Sequence, residues 1–461
     1  MSILPSWTVS LKSHLTQMAE ELTHSLHGWH GSDLVITPEQ CGFTDGLATS
    51  FIQKAIDTAA EAGGGTVLLS QGDYVSGTLV MRSGIRLEVA ATARLLGSPH
   101  LEDYPEHIAR RRTVQDTNMG MHQSLIFAEG CENVSICGQG QIDGQGHHFP
   151  GEETAHGTPG RPFLMRFLDC RNVHIKDITL KDAACWMQNY LHCENLLIED
   201  IHVENQANYN NDGIDIDGCR NVIVRRCEVS SGDDALCFKG ASQMTGENIL
   251  VEDCLFLSSC NAVKFGTDSQ GDFRNVLIRN CTVGGVSEEM RRIKHADSDS
   301  AFSWEAVDGG TVENIWVHHV HIIRAMSPFF LRLEKRGRVK PEDPVPPLST
   351  MRHILFEDID GENNGPRGSY FIGIPEKTIE EIALKNIRLH QRASEKPVLS
   401  ETDIPEMYGV YPDAHMIDDM GDAPAYGLWA RHVHGLYLDH YEVLPTGSDP
   451  RPALVTETDV Q

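Results

Sequence analysis

The chain has 461 residues, 40% of them hydrophobic, which is enough to build a long core. Its formal net charge of −28 argues against nucleic acid and anionic membrane as partners, and a polyanionic substrate would need a locally basic cleft. The 41 Gly and 21 Pro imply many turns.

At the N-terminus, Trp7, Val9, Leu11, Leu15, Met18, Leu22 and Leu26 recur at helical spacing and predict the apolar side of a capping helix, within a helical segment over residues 1–35. No charged-then-apolar-then-cleavage pattern precedes them, so the expected compartment is the cytoplasm. No apolar run is long enough to span a membrane. Ser50 to Ala62 reads as an amphipathic helix stopped by Gly63-Gly64-Gly65. The stretch that follows, TVLLSQGDYVSGTLVMRSGIRLEV, alternates as strands and is expected to cap the N-terminal end of the next region.

That region is repetitive. A polar residue or Asn, then an alternating apolar set, recurs as CENVSICGQGQIDG from Cys131, CRNVHIKDITLKDA from Cys170, CENLLIEDIHVENQ from Cys193 and CRNVIVRRCEVSSG from Cys219. Further copies begin at Gly246, Phe273 and Thr311, and weaker ones at Met351, Ile379 and His432. The shared Asn falls at 133, 172, 195, 221, 248, 275 and 314, with gaps of 39, 23, 26, 27, 27 and 39. Period-2 strands repeating every ~23–27 residues are the signature of a β-solenoid. With no helical half in the repeat, the fold class is all-β: a right-handed parallel β-helix with an N-terminal helical cap, forming one domain over 36–461. The Asn column predicts a hydrogen-bonded ladder inside the turns. All twelve cysteines lie between Cys41 and Cys281, and Cys227, Cys254 and Cys281 are each 27 residues apart. They read as stacked interior thiols rather than disulfides, in keeping with a reducing compartment. The basic runs Arg110–Arg112, Arg291–Lys294 and Lys335–Lys340 read as solvated loop charge.

Two acidic motifs stand out in mid-chain: Asn210-Asn211-Asp212-Gly213 and Gly232-Asp233-Asp234. Asp233 follows Asp212 by 21 residues, close to one coil. Stacked coils would place Asp212, Asp233 and Asp234 on one patch, where mutual repulsion raises at least one pKa. One carboxyl can then donate a proton while its neighbours activate a water, which is the division of labour in glycoside hydrolysis. An acidic rim or a Ca²⁺ site is the bland alternative.

These motifs resemble those of the polygalacturonase-like glycoside hydrolases (family 28), which carry Asn-Thr-Asp-Gly and Gly-Asp-Asp. The phrases QGQIDGQG at 139–146 and PAYGLWARHV at 424–433 resemble the family too, over roughly residues 35–461. The resemblance implies an inverting hydrolase without metal or other cofactor, acting on an oligosaccharide. It assigns Asp233 as general acid, Asp212 and Asp234 as holders of the attacking water, and Asn210 as a positioning residue. Two departures follow. Asn261 stands where the family has an active-site His, and Ser303-Trp304-Glu305 stands where it has Arg-Ile-Lys for a galacturonate carboxylate. Lys239, Lys264 and Arg332 are candidate replacement cations, Glu305 suits a neutral sugar, and Trp186 and Trp304 are candidate stacking rings. The expected activity is exo-cleavage of pectin-derived or related oligosaccharides, with insertions around 144–165 and 284–300 closing one end of the cleft. A β-helix polysaccharide lyase and a non-catalytic carbohydrate-binding β-helix are the competing readings.

Overall fold

In the computed structural model, which describes residues 4–113, 122–150, 160–286, 296–457 and 459–460, the repeats are successive coils of a right-handed parallel β-helix. Twelve strands, one per coil from Leu79–Val80 to Leu454–Thr456, form one side of the solenoid. The other twenty strands make the remaining sides. Arg291–Lys294 and parts of both insertions lie outside the described residues.

The turns explain the repeated Asn. Asn133, Asn172, Asn195, Asn221, Asn248, Asn275 and Asn314 all have φ between 54° and 60°, a left-handed conformation that Asn tolerates better than most residues. From Asn195 to Asn314, each amide Nδ2 donates to Oδ1 of the Asn one coil earlier, at 2.9–3.3 Å. Asn133, at the same turn position one coil before Asn172, donates instead to the His30 carbonyl. Between the turns, alternation sends Val173, Leu196, Val222, Ile249, Val276 and Ile315 inward in register, all buried. All twelve cysteines are free, and two of their rungs are tied by backbone donors: Cys193 N to Cys219 Sγ at 3.2 Å and Cys227 N to Cys254 Sγ at 3.4 Å.

Two helices play different parts. Thr49–Glu61 closes the N-terminal end, burying Ile52, Ala55, Ile56 and Ala59 in the main core. Ser6–Ser25 does not cap the end, which corrects the sequence-based expectation. It lies along the flank, where Leu11, Leu15, Met18 and Leu22 cover a column of outward residues, Leu197, Ile223, Leu250, Leu277, Trp316, Leu355 and Ala383. Val9, counted on the apolar side of that helix, is exposed. In the basic run 335–340 the charges are paired: Arg336 with Asp308, Arg338 with Asp268, Lys335 with Glu376. No described helix is long and apolar enough to cross a membrane.

Candidate active site

The acidic motifs both sit in the turn just before a strand of the twelve-strand side. The Asp212 turn is bolted down from below. Asn211 Nδ2 donates to the carbonyls of Ala183 (3.0 Å) and Cys185 (2.8 Å), and Asn205 Nδ2 donates to the carbonyl of Asp212 at 2.8 Å. Asn210, in the left-handed conformation, accepts from the buried Arg161 guanidinium at 2.7 Å. One coil on, the Ser231 and Ser258 hydroxyls both donate to the Asp233 carbonyl, at 2.5 and 2.6 Å, and Asp234 N donates to Asp233 Oδ1 at 3.1 Å. These bonds hold the three carboxylates on neighbouring coils; Asp212 and Asp234 are buried, and Asp233 is half-buried.

Two lysines are threaded among them. Lys239 Nζ lies 3.5 Å from Asp212 Oδ2, 3.2 Å from Asp215 Oδ1 and 4.4 Å from the centre of the Trp186 ring. Lys264 Nζ lies 3.4 Å from Asp234 Oδ2 and 3.9 Å from Glu305 Oε2. Burial pulls both ammonium groups down in pKa, but the negative groups around them outweigh it and hold both well above the usual lysine range. Burial, followed by repulsion from Asp215, pushes the Asp212 carboxyl far up. Burial also pushes Asp215 up to about 7 and Asp217 up to about 6. Asp212 and Asp215 thus both face Lys239 and each raises the other's resistance to ionising, so the two carboxyls titrate as a pair.

Of the residues singled out in the sequence, Asp212, Asp233, Asp234, Lys239, Asn261, Lys264 and Glu305 come together here, with Asn210 at the edge. Asn261, which the sequence resemblance sets where a His was expected, bonds to this cluster. Its Nδ2 donates to Asp234 Oδ1 and its Oδ1 accepts from Ser300 Oγ, both at 2.9 Å. Glu305 is fully buried, with Ser303 Oγ donating to Oε1 at 2.6 Å, and burial pushes its carboxyl up to about 8. Arg332 is not part of the cluster, and its guanidinium donates to the carbonyls of Glu406 (2.7 Å) and Gly373 (3.4 Å). Trp304 is not a stacking ring for a ligand. It points into the core, stacked on Phe356 at 5.0 Å.

Sequence reasoning missed Asp215, Asp413 and Tyr411. Asp215 was signalled by a charged residue at an outward position of a strand, whereas Tyr411 and Asp413 arrive from a distant loop that no spacing connects to the site. Among the described residues, His, Cys and carboxylate donor atoms lie within 4.8 Å of one another in two groups, Asp233–Asp234–Cys260 and Asp299–Asp413–His415. Each already faces a cation, Lys264 in the first and Arg367 in the second.

A sequence model of glycosyl hydrolases family 28 matches residues 74–403, well over half of the chain. The chain belongs to this family. A probable polygalacturonase of Vitis vinifera is 26% identical over 211 residues, covering 43% of this chain and 42% of that protein. Polygalacturonase QRT2 of Arabidopsis thaliana is 22% identical over 272 residues, covering 57% and 59%. The chain thus spans about half the length of the curated relatives it matches. Among solved structures, an exopolygalacturonase from Thermotoga maritima superposes with a TM-score of 0.69 at 20% identity, over 84% of this chain and 93% of that one. A family 28 exopolygalacturonase from Yersinia enterocolitica gives 0.64 at 16% identity, over 93% and 79%. At these identities the structural likeness establishes the fold of this family 28 hydrolase.

Proposed function

We propose that this family 28 glycosyl hydrolase cleaves pectin-derived or related oligosaccharides from a chain end, by inverting acid–base hydrolysis. The observation that carries the reading is the set of carboxylates on adjacent coils, Asp212 and the Asp233–Asp234 pair, each anchored by backbone or side-chain hydrogen bonds. Asp233, the least buried of the three, protonates the leaving glycosidic oxygen. Asp234 and Asp212 hold a water on the opposite side of the sugar, and Asp234 takes its proton as the water oxygen bonds to the anomeric carbon. The products leave with Asp233 ionised and Asp234 protonated, and exchange with solvent resets both.

Lys239 and Lys264 bear on the alternatives. Both are held protonated, so neither can abstract the proton a lyase must remove, and both are committed to carboxylates. The sugar next to Glu305 is therefore uncharged in this reading, unlike galacturonate. The twelve free thiols support placing the enzyme in the cytoplasm, where it would act on imported fragments.

The Asp233→Asn variant tests the mechanism. Turnover is expected to fall by roughly 10²–10⁴-fold with an unchanged melting temperature, and product followed by NMR should appear with inverted anomeric configuration. Undiminished turnover, or retained configuration, would refute it.

A further inference from the structure

The outward face of the twelve-strand side changes character along the molecule. One column in register runs through Asp215, Cys237, Lys264 and Ser303, then continues as Phe330, Tyr370 and Trp429. The column two residues further on passes from Glu305 to Arg332 and then to Ile372. In the first column the polar floor thus gives way to an apolar one a single coil beyond Ser303, whereas the second carries the arginines Arg332 and Arg431 on either side of Ile372. From that coil onward the face is roofed by the segment 397–425, whose Ile404, Ile417 and Ala423 pack in one cluster with Phe330, Tyr370 and Trp429.

The roof is clamped from beneath by buried charged side chains. Arg332 donates to the Glu406 carbonyl at 2.7 Å, and Arg431 donates to those of Glu401 (2.7 Å) and Ile404 (2.9 Å). Gly409 N donates to Glu334 Oε1 at 2.8 Å, and Arg367 grips the Asp418 carboxylate at 3.0 and 2.6 Å. Charge-assisted bonds of this number, made under an apolar seal, fix the position of a loop. Of its two exposed aromatic rings, Tyr408 is hydrogen-bonded to Glu376 and lies over Lys335, and Tyr411 is the one beside the carboxylate cluster. Tyr411 is 53% exposed although its neighbours Pro412 and Asp413 are buried, and its ring centre lies 5.9 Å from Lys264 Nζ.

We propose that residues 397–425 are the end wall of the substrate site and that Tyr411 is its contact with sugar, so that the site takes a chain end and not the middle of a chain. A pyranose has an apolar C–H face that packs on an aromatic ring, and an open ring beside the reacting carboxylates on a fixed wall provides one. The strand following Asp234 and the strand of Phe330 are three strand spacings apart, roughly 14 Å. That is space for a short oligosaccharide and not for a continuing polymer. Arg332, offered by the sequence as a substrate cation, thereby acts as a strut of the wall.

The inference rests on the glycosidase reading, and the test separates the two. The probe is a size-fractionated ladder of pectin-derived oligosaccharides, neutral and acidic, given to wild type, Tyr411→Ala, Tyr411→Phe and Asp233→Asn. Tyr411→Ala should raise KM about tenfold with kcat little changed, and Tyr411→Phe should restore it, since the ring and not the hydroxyl makes the contact. Wild type should release a single product size from one end of every chain. A wild-type KM in Tyr411→Ala, a Phe variant as weak as Ala, or products cut from chain interiors would overturn the inference while leaving the Asp233 mechanism standing. Turnover that survives in Asp233→Asn would instead remove the mechanism. Should no member of the ladder be hydrolysed, calorimetric binding of the same ladder decides, and equal affinity of wild type and Tyr411→Ala, or no binding by either, overturns the wall.

Discussion

Glu305 occupies a strand position where a cation was expected, and it shapes both the substrate argument and the pH behaviour of the fold. Its carboxyl is pushed up to about 8 by burial, against the pull of Lys264, whereas a Glu in an unfolded chain titrates near about 4.3. Between those values the folded state holds a proton that the unfolded state has lost. Stability therefore falls as pH rises from about 5 to about 8, by a few kcal/mol at most, and this contribution is level above. Glu305→Gln keeps the shape and the neutral character, and Lys264 keeps its contact with Asp234. The variant should melt with wild type near pH 5 and above it near pH 8. Asp215 and Asp217 add the same slope to both proteins, so they cancel in the comparison. Parallel melting-temperature curves over that range would refute the assignment. Most of this cluster is legible in the sequence, because outward positions of a strand rarely carry charge one coil after another without a reason. Its phase is not. Asp233 lies 21 residues after Asp212, but Ile214 pairs with Leu236, a shift of 22, and Gly213 N donates to the Asp234 carbonyl at 2.8 Å. Asp234 is thus the coil equivalent of Asp212, and Asp233 stands in the turn ahead of the strand. A repeat that varies between ~23 and ~27 residues cannot resolve one residue of phase.

The strands and turns were readable because two local rules agree: alternation sets what points inward, and Asn marks the left-handed turn position. The flanking helix shows where that reading stops. Its apolar spacing is plain, but its partner is a column of residues drawn from seven coils. The column does leave a trace. In NLLIE, NVIVR, NILVE and NVLIR the outward residue is itself apolar, Leu197, Ile223, Leu250 and Leu277, whereas the earlier coils carry Ser135 and His174 there. Broken alternation at one phase over consecutive repeats means that something covers that face. The dimensions agree. A helix of 20 residues is about 30 Å long, and seven coils span six intervals of about 4.8 Å, roughly 29 Å. Leu15 is fully buried at the middle of this contact. Leu15→Ala should cost about 2–5 kcal/mol in denaturant unfolding, with kcat unchanged, because the helix and the carboxylates lie on different sides of the solenoid. A stability equal to wild type would mean that the helix is not seated on the column.

At the scale of the whole molecule, the net charge of −28 acts on anything that approaches the cleft. The site does not counter that field locally. Its two lysines already face carboxyl groups, Lys239 those of Asp212 and Asp215 and Lys264 those of Asp234 and Glu305, so neither stands free to draw in an anion. The end wall follows the same logic of long range: contacts such as Arg332 to Glu406 join residues 74 apart, which no repeat encodes. A polyuronate would meet repulsion that salt relieves, since screening acts over about 10 Å at 0.1 M ionic strength. A neutral oligosaccharide would meet none. For the preferred substrate, kcat/KM is therefore expected to stay level from about 0.01 to about 0.5 M salt, while any residual activity on galacturonan climbs severalfold over the same range. Steady-state rates on both substrates across that salt series decide the point. If the preferred substrate also accelerates with salt, the bound sugar carries a negative charge, and the paired lysines must exchange partners to receive it.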